Sequence, residues 1–499
     1  MPRFTRSFSH STALALASLL IAGCGTSRYT LSRSAKPPEP QHSFASNTAK
    51  ATERSALTDV DEVISSIDQV GFNDESNSLP PPAPEAAASE HVEVDSEWSL
   101  SRLETLALEN NPAIQQASAA AHKSMGYRDQ VGRKPNPTVG YQGSQLADAG
   151  TDQHVAFVEQ DFVLGDKLAR NQNVLGHDVQ AQLWEVETQR FRVVTDVRQL
   201  YYSALAAQYK RDLAVSYQAK AREWRKQAEE RNAAAEGNQL EIGQSVVLLR
   251  QFELLERQSE AELRGNWNRL MAMVGSPGIP VSRLSGKLSE AEVRDIHLLI
   301  TQALSESPEL QAARSRLARA QANLDRQEAQ VIPNLSVMIA AGRDNGTGSS
   351  MINTQVGLPL PLTNRNQGNI AAAHAELCRA SQNVRRLELA LQSRIAESQQ
   401  QWESAAVAEE KYRTEIIPQA EDTLELMELA LRTEGNVTFV EVLIARKTAF
   451  DAQWEYLNAQ TELAKAATML NGLVLSGGLN DTPDTEMDSG LRDQSFSGQ

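Results

Sequence analysis

The side chains that could bind a metal or carry out catalysis are scattered along this 499-residue chain. None of the histidines has the spacing of a metal-ligand motif, and no catalytic constellation is visible. The eight histidines are His10, His42, His91, His122, His154, His177, His297 and His374. Met271 and Met273 could suggest handling of a soft metal, but methionines at a helix end are more often core filler. The sequence therefore predicts no catalytic residue, no metal site, no cofactor and no enzymatic activity.

The clearest chemical signal is a cysteine near the amino terminus. Arg3 and Arg6 precede an apolar run, 13–21, which is too short to span a bilayer. The run leads into Leu-Ile-Ala-Gly-Cys, ending at Cys24, which resembles the bacterial lipobox, where the chain is cut before the cysteine and the sulfur is acylated. We therefore expect a signal peptide over 1–23 and a lipid on Cys24. The alternative is an ordinary signal peptide that happens to carry a cysteine.

The residues after Cys24 and the charge of the chain limit its location and partners. By the same resemblance, Gly25 in place of Asp favours transport to the outer membrane, with membrane lipid as a partner. Removing 1–23 takes away two arginines and no acid, so the net charge changes from −16 to −16 − 2 = −18. Nucleic-acid binding needs a basic surface, so no nucleic-acid partner is expected. The other cysteine, Cys378, is expected to be a small, buried, apolar residue without a disulfide.

Two polar segments flank the main part of the chain. Residues 24–96 are polar, acidic and rich in proline and alanine, and residues 476–499 are rich in Asp, Ser and Gly. Neither segment can bury enough apolar surface to offset the entropy of ordering. We expect a disordered, lipid-anchored linker and a disordered tail.

The sequence between these segments is duplicated. Pro112 matches Pro308 at an offset of 308 − 112 = 196, and Glu-Gly-Asn at 236–238 recurs at 434–436, an offset of 198. Landmarks in one order at nearly one offset indicate an internal repeat. The two repeats are 97–286 and 287–475.

Each repeat has the same order of predicted elements. A helical segment is followed by two short stretches with strand character, a helix of about 70 residues, a turn and a helix of about 35 residues. Large apolar residues recur at coiled-coil spacing in the long helices. They are Leu248, Phe252 and Leu255 in the first repeat, and Phe439, Leu443, Phe450, Trp454 and Leu457 in the second.

The strand-like stretches are typical of membrane β-hairpins, because apolar and polar residues alternate over about ten positions. The pairs are 137–146 with 153–163, and 333–342 with 351–360. The glycine-rich stretch 342–348 lacks the Gly-Lys-Ser/Thr ending of a phosphate loop, so it predicts an extracellular hairpin tip. Four strands cannot close a barrel, and an open sheet leaves unpaired edges in lipid. The hairpins belong either to a soluble sheet or, as the export signal favours, to a barrel shared by several copies.

Over 97–475 the chain resembles the TolC-type outer-membrane efflux protein family, in particular its lipid-anchored branch that works with metal- and drug-exporting pumps. The landmarks are Leu-Pro-Leu-Pro-Leu at 358–362 running into 364–370, Ile-Pro-Gln-Ala at 417–420, and Arg-Thr-Glu-Gly at 432–435. The resemblance implies a mainly α fold with membrane β-structure. Long antiparallel coiled-coil helices and four strands per protomer then form a shared, trimeric, twelve-stranded barrel.

The same resemblance implies the function and the partners. The homotrimer would be the outer-membrane channel of a tripartite efflux system that extends into the periplasm. It would be a passive exit duct for metal ions or toxic compounds, driven by an inner-membrane pump through a periplasmic adaptor protein. The alternative is a non-conducting coiled-coil lipoprotein that bridges the envelope layers. The sequence does not name the substrate.

The resemblance also assigns roles to the turns and junctions. Two turns are expected to be periplasmic tips that contact the adaptor: Glu236, Gly237 and Asn238 in the first repeat, and Glu434, Gly435 and Asn436 in the second. Gly and Asn suit a helix reversal because they tolerate a positive φ. Pro359 and Pro361 suit a sharp passage from strand to helix, because proline ends ladder pairing and fixes φ. The first repeat has Phe-Val-Leu-Gly-Asp-Lys at 162–167, without prolines, so its turn is expected to differ.

Glu441 is the candidate for a periplasmic constriction. In the family, the matching position holds an acid, and a second acid lies three residues further on, where this chain has Ile444. By sequence offset, the first repeat places Gly243 at the equivalent position. Three Glu441 carboxylates around a three-fold axis would attract cations. The alternative is a solvated glutamate on an outer helix face.

We predict that Cys24→Ala yields a precursor that is not processed as a lipoprotein, because the substitution removes the sulfur that is acylated. Mass spectrometry of the mature amino terminus measures this. An unmodified amino terminus at any residue other than Cys24 in the unsubstituted protein would contradict the prediction.

Overall fold

The computed structural model describes residues 98–146, 150–288, 296–433 and 437–480, within one compact unit, Ser66–Gln499. The predicted signal peptide, the linker including Cys24, and most of the predicted tail lie outside the described residues. The expected mainly α fold with four strands is confirmed. Within the described residues, no helix is both long enough and apolar enough to cross a bilayer.

The first repeat contains four helices and one hairpin in the predicted order. They are α1 Leu100–Asn110, α2 Pro112–Val131, β1 Thr138–Ser144, β2 Gln153–Phe162, α3 Lys167–Ala233 and α4 Gln239–Val274. The initial helical segment is broken between α1 and α2, since Pro112 cannot continue a helix but suits its first turn. Asn111 caps α2, and its buried side chain donates to the Met273 carbonyl at 2.7 Å.

The second repeat follows the same order. Its elements are α5 Ile296–Glu306, α6 Pro308–Ala329, β3 Leu335–Asp344, β4 Ser349–Gly357, α7 Gln367–Lys411, a π turn at Tyr412–Ile416, α8 Ile417–Thr433 and α9 Phe439–Asn471. From the start of α7 to the end of α8 the chain is helical for 433 − 367 + 1 = 67 residues, the length of α3. The predicted long helix is therefore present in both repeats.

Pro418 accounts for the π turn inside the second long helix. Proline lacks an N–H, and in a regular α-helix its ring collides with the carbonyl four residues earlier, here that of Thr414. The backbone widens instead, and the Ile417 N–H bonds to the Tyr412 carbonyl five residues back. The helix continues through the proline with one local distortion.

The four strands form one antiparallel sheet in the order β1-β2-β3-β4. The central pair joins the two hairpins over ten residues, from Gln153 opposite Asp344 to Phe162 opposite Leu335. The outer edges of β1 and β4 have no partner strand among the described residues. The stretch 342–348 forms the end of β3 and the β3–β4 turn, as expected of a hairpin tip.

The two faces of the sheet differ in character. Val139, Val158 and Ile339 lie in one cross-strand row, with exposed fractions of 74%, 49% and 55%. The same face carries further exposed apolar residues, namely Tyr141, Phe162, Ile352 and Val356. The opposite face includes polar residues such as Asn353 and Gln355. An apolar face left open to the surroundings is typical of the lipid-facing side of a membrane barrel.

The long helices pack through an aromatic cluster. The predicted seam residues Leu248, Phe252, Phe439, Leu443 and Phe450 belong to one buried cluster. Leu255 and Trp454 pack against its border, and Tyr217 and Trp224 from α3 complete it, whereas Leu457 packs on the neighbouring cluster. The rings of Phe252 and Phe450 are 4.7 Å apart in an edge-to-face arrangement. The predicted seam therefore joins α4 of the first repeat to α9 of the second.

A buried arginine of α9, Arg446, forms an ion pair that links α8 to the same cluster. The Arg446 guanidinium donates to Glu428 at 2.8 and 2.9 Å and lies 4.8 Å from the Trp224 ring centroid. The Arg446 side chain is only 9% exposed. Helix α8 has no fully buried residue, but Leu431 packs on the border of the cluster, and this ion pair adds a buried link between α8 and α9.

We predict that Glu428→Gln lowers the free energy of unfolding by about 1–3 kcal/mol, because it leaves a buried guanidinium without a counter-charge. Denaturant unfolding of the detergent-solubilised protein, followed by circular dichroism, measures the change. Glu425→Gln, at an exposed glutamate of the same helix, is the control and should change stability by less than about 0.5 kcal/mol. Equal stability of the two variants would show that the Glu428 charge does not hold α8.

Candidate functional site

The described tip of the first repeat is the five-residue turn between α3 and α4. The N–H groups of Glu236 and Gly237 both donate to the Arg231 carbonyl, at 2.9 and 3.0 Å. Asn238 caps α4, and its side-chain oxygen accepts from the N–H groups of Leu240 and Glu241. The structure thus places all three predicted residues of this tip in the turn.

The expected reason for glycine at this tip was wrong. The residue with positive φ is Ala235, at 61°, whereas Gly237 does not have a positive φ. A Cβ on Gly237 would lie 2.8 Å from Glu241 Oε2 and 3.0 Å from Arg231 Cβ. Glycine is therefore needed for the close approach of two side chains, not for a left-handed backbone.

The tip of the second repeat is described only at its flanks, because Glu434, Gly435 and Asn436 lie outside the described residues. Thr438 caps α9 and forms a capping box with Glu441. The Thr438 N–H donates to Glu441 Oε2 at 2.7 Å, and the Glu441 N–H donates to the Thr438 hydroxyl at 3.3 Å.

The helix ends define a different equivalence at the tips from the one that the sequence offset gave. The helix after the first tip begins at Gln239, and the helix after the second tip begins at Phe439, so the offset is 439 − 239 = 200. The Glu-Gly-Asn sequences, which are 198 apart, are therefore two residues out of structural register. The counterpart of Glu441 is Glu241, and the expectation of Gly243 was wrong.

The two equivalent glutamates have different surroundings. Glu241 is buried and pairs with Arg231, with Nε and Oε2 3.3 Å apart. Glu441 is exposed, and the Thr438 backbone N–H and hydroxyl lower the pKa of its carboxyl. In the protomer, these hydrogen bonds therefore favour the ionised form of Glu441.

Glu441 borders a groove of about 690 Å³ between the π turn with α8 on one side and α9 on the other. The lining is mainly apolar and includes Ile416, Met427 and Ile444. The charged residues among those that line it are Glu415 and Glu441, and Glu415 pairs with Lys411 at 3.1 Å. Ile444 lies three positions after Glu441, where a second acid was considered. Its apolar side chain is 61% exposed and lines the groove.

The strand-to-helix junctions have different lengths and similar ends. Pro359 and Pro361 lie between Gly357, where β4 ends, and Gln367, where α7 begins. In this segment Leu358, Leu360 and Leu362 are exposed. The first junction, from Val163 to Asp166, has four residues against nine, so the geometry differs as expected. Both helices nevertheless start from a left-handed residue, Asp166 at φ 54° and Asn366 at φ 59°.

The two methionines and the cysteine of the repeats differ in their exposure. Met271 and Met273 are buried, which confirms them as core residues. Cys378 is exposed, so the expectation of a buried cysteine was wrong; it lies on the open side of α7, whose other side packs on the bundle. Within the described residues, no group of three or more His, Cys, Asp or Glu side chains is arranged to hold a metal ion.

The ion pair between Arg446 and Glu428 was missed in the sequence. Arg446 lies seven residues after Phe439, two helical turns away, and so shares the buried face of the seam. An arginine on an apolar helical face signals a buried partner, because a buried charge is rarely left unpaired. The identity of the partner, however, depends on how α8 lies beside α9.

Comparison with known proteins agrees with this architecture. The family model "Outer membrane efflux protein" matches residues 299–474. The cobalt-zinc-cadmium resistance protein CzcC of Cupriavidus metallidurans is 24% identical over 274 residues, which are 55% of this chain and 65% of CzcC, slightly under two thirds of its length.

Solved structures share the fold. A membrane protein from Pseudomonas aeruginosa superposes with a TM-score of 0.65 at 18% identity, covering 80% of this chain and 99% of that one. The outer membrane protein VceC of Vibrio cholerae gives a TM-score of 0.61 at 18% identity, covering 76% of this chain and 96% of VceC. Residues 299–474 are therefore similar to the outer membrane efflux protein family, and the chain shares the fold of solved outer-membrane channels.

Proposed function

We propose that three copies of this chain form the outer-membrane channel of a tripartite efflux system, a passive exit duct for small solutes driven by an inner-membrane pump. The observation that carries the proposal is the four-stranded sheet, which has one exposed apolar face and, among the described residues, two edges without a partner strand. In a bilayer such edges must be paired, since lipid offers no hydrogen bonds.

Three-fold assembly satisfies both edges at once. If β1 of one copy pairs with β4 of the next, three sheets of four strands close into a twelve-stranded barrel. The helices support the same arrangement, because the π turn and α8 bury no residue in the protomer and Leu426 and Leu429 are exposed. A neighbouring copy would cover this open side of α8.

The long helices give the assembly its reach. At about 1.5 Å per residue, the 67 residues of α3 span about 100 Å, enough to cross much of the periplasm. The turns at 236–238 and 434–436 then lie at the far end from the membrane. We place the contact with the adaptor protein at these tips, and we place the lipid anchor on Cys24.

The proposed cargo is metal ions or small toxic compounds. The relative from Cupriavidus metallidurans is named for resistance to cobalt, zinc and cadmium. The exposed, ionised Glu441, three per trimer, would favour cations near the periplasmic entrance if it faces the axis.

We predict that the purified protein gives discrete conductance steps in planar bilayers, whereas a non-conducting scaffold would give none. Glu441→Gln should lower the cation-to-anion permeability ratio about twofold or more and lessen block by multivalent cations added from the periplasmic side. Glutamine also serves at this position of a capping box, so the substitution removes the charge and keeps the cap.

The control for this measurement is Glu455→Gln, which removes an exposed charge from the same helix, away from the tip. It should leave selectivity and block unchanged. Unchanged selectivity and block in Glu441→Gln as well would place Glu441 on the outer surface. The absence of conductance steps in the unsubstituted protein would reject the channel itself.

A further inference from the structure

Two metal-ligating side chains lie one helical turn apart on the exposed side of α7. His374 and Cys378 are both exposed, and Cys378 is a free thiol. On an α-helix, residues four apart are neighbours on one face, with their Cβ atoms about 5–6 Å apart. An imidazole nitrogen and a thiolate sulfur at this separation can reach the same ion, since their bonds to zinc are about 2.0 and 2.3 Å long.

Within the protomer, the surroundings leave this pair available. The residues beside it on the same side are Ala371 and Ala375, both exposed, whose methyl groups do not block approach. The nearest carboxylate in the sequence, Glu376, is held in a two-bond ion pair with Arg379 at 2.6 and 2.7 Å, so it does not compete for the histidine.

The helix itself holds the two ligands in place. Ala373, next to His374, is buried, and Leu391 and Ile395 are buried further along α7, so the helix packs on the bundle at these positions. Residues 367–411 are regular helix, and the π distortion begins only at Tyr412. A rigid element that carries both ligands lowers the ordering entropy that binding must overcome.

We propose that His374 and Cys378 form a binding site for one thiophilic divalent cation, such as Cd²⁺ or Zn²⁺, in the helical wall of each protomer. The imidazole and the thiolate supply two ligands, and water completes the coordination. A soft thiolate with an imidazole selects such ions over Mg²⁺ or Ca²⁺, which prefer oxygen. Binding displaces the thiol proton and needs a neutral imidazole.

Titration of the purified, detergent-solubilised protein with Cd²⁺ tests the site, with the ultraviolet thiolate-to-cadmium charge-transfer band as the readout. We expect saturation at one ion per protomer. Cys378→Ser should abolish the band, and His374→Gln should weaken the affinity about tenfold or more. His122→Gln, which removes a histidine from α2, is the matched control and should bind as the unsubstituted protein does.

A second measurement guards against misfolded variants. In the unsubstituted protein, Cd²⁺ should protect Cys378 from maleimide labelling, and the same concentration should protect it much less in His374→Gln. Equal affinity and equal protection in His374→Gln would show that the thiol binds alone, and would overturn the proposal. So would a band that persists in Cys378→Ser. Because the readout is binding and not conductance, the result is independent of the proposed channel function.

Discussion

The backbone hydrogen bonds of the sheet edges are the constraint on which the architecture of this protein depends. Four strands pair among themselves, yet β1 and β4 each leave one edge without a partner in the protomer. The face that carries Val139, Ile339 and Ile352 is apolar and open. A sheet of this kind is stable in lipid only when other strands pair with its edges. The proposed ring of copies would meet that requirement by pairing β1 of one copy with β4 of the next.

The helices meet a second constraint, which is how to hold very long elements together without a globular core. Helix α3 contributes Tyr217 and Trp224 to the cluster that it shares with α4 and α9. Helix α8 packs on this cluster through the partly buried Leu431, and the ion pair between Arg446 and Glu428 adds a second link to α9. A buried ion pair is sensitive to loss of either partner, since the remaining charge stays desolvated.

The duplicated repeats are alike in their elements and different in their tips. Between the repeats the offset is 196 at α2 and α6, 367 − 167 = 200 at the long helices, and 472 − 275 = 197 at the glycines after α4 and α9. The longer junction after β4 adds 9 − 4 = 5 residues, and the stretch from the start of α6 to the end of β4 is one residue shorter than its counterpart, which leaves the increase of four. At the tips, equivalent positions hold a buried, arginine-paired Glu241 and an exposed, self-capped Glu441. At the tips, structurally equivalent positions follow from the starts of α4 and α9 and not from the repeated Glu-Gly-Asn sequences.

The sequence by itself determined the order of elements, the lengths of the long helices and the strand pairs, because these depend on local periodicity, turn residues and proline. It also determined the apolar seam from Phe439 to Trp454, because the spacing of these residues can be read from the sequence of a single helix. Only the tertiary structure decided that Cys378 is exposed, that Gly237 is required by two approaching side chains, and that Glu428 is the partner of Arg446. Each of these depends on which helix faces a given side of another. Side-chain periodicity shows that a helix has a buried side, but the neighbour that covers it is selected by packing across the whole chain.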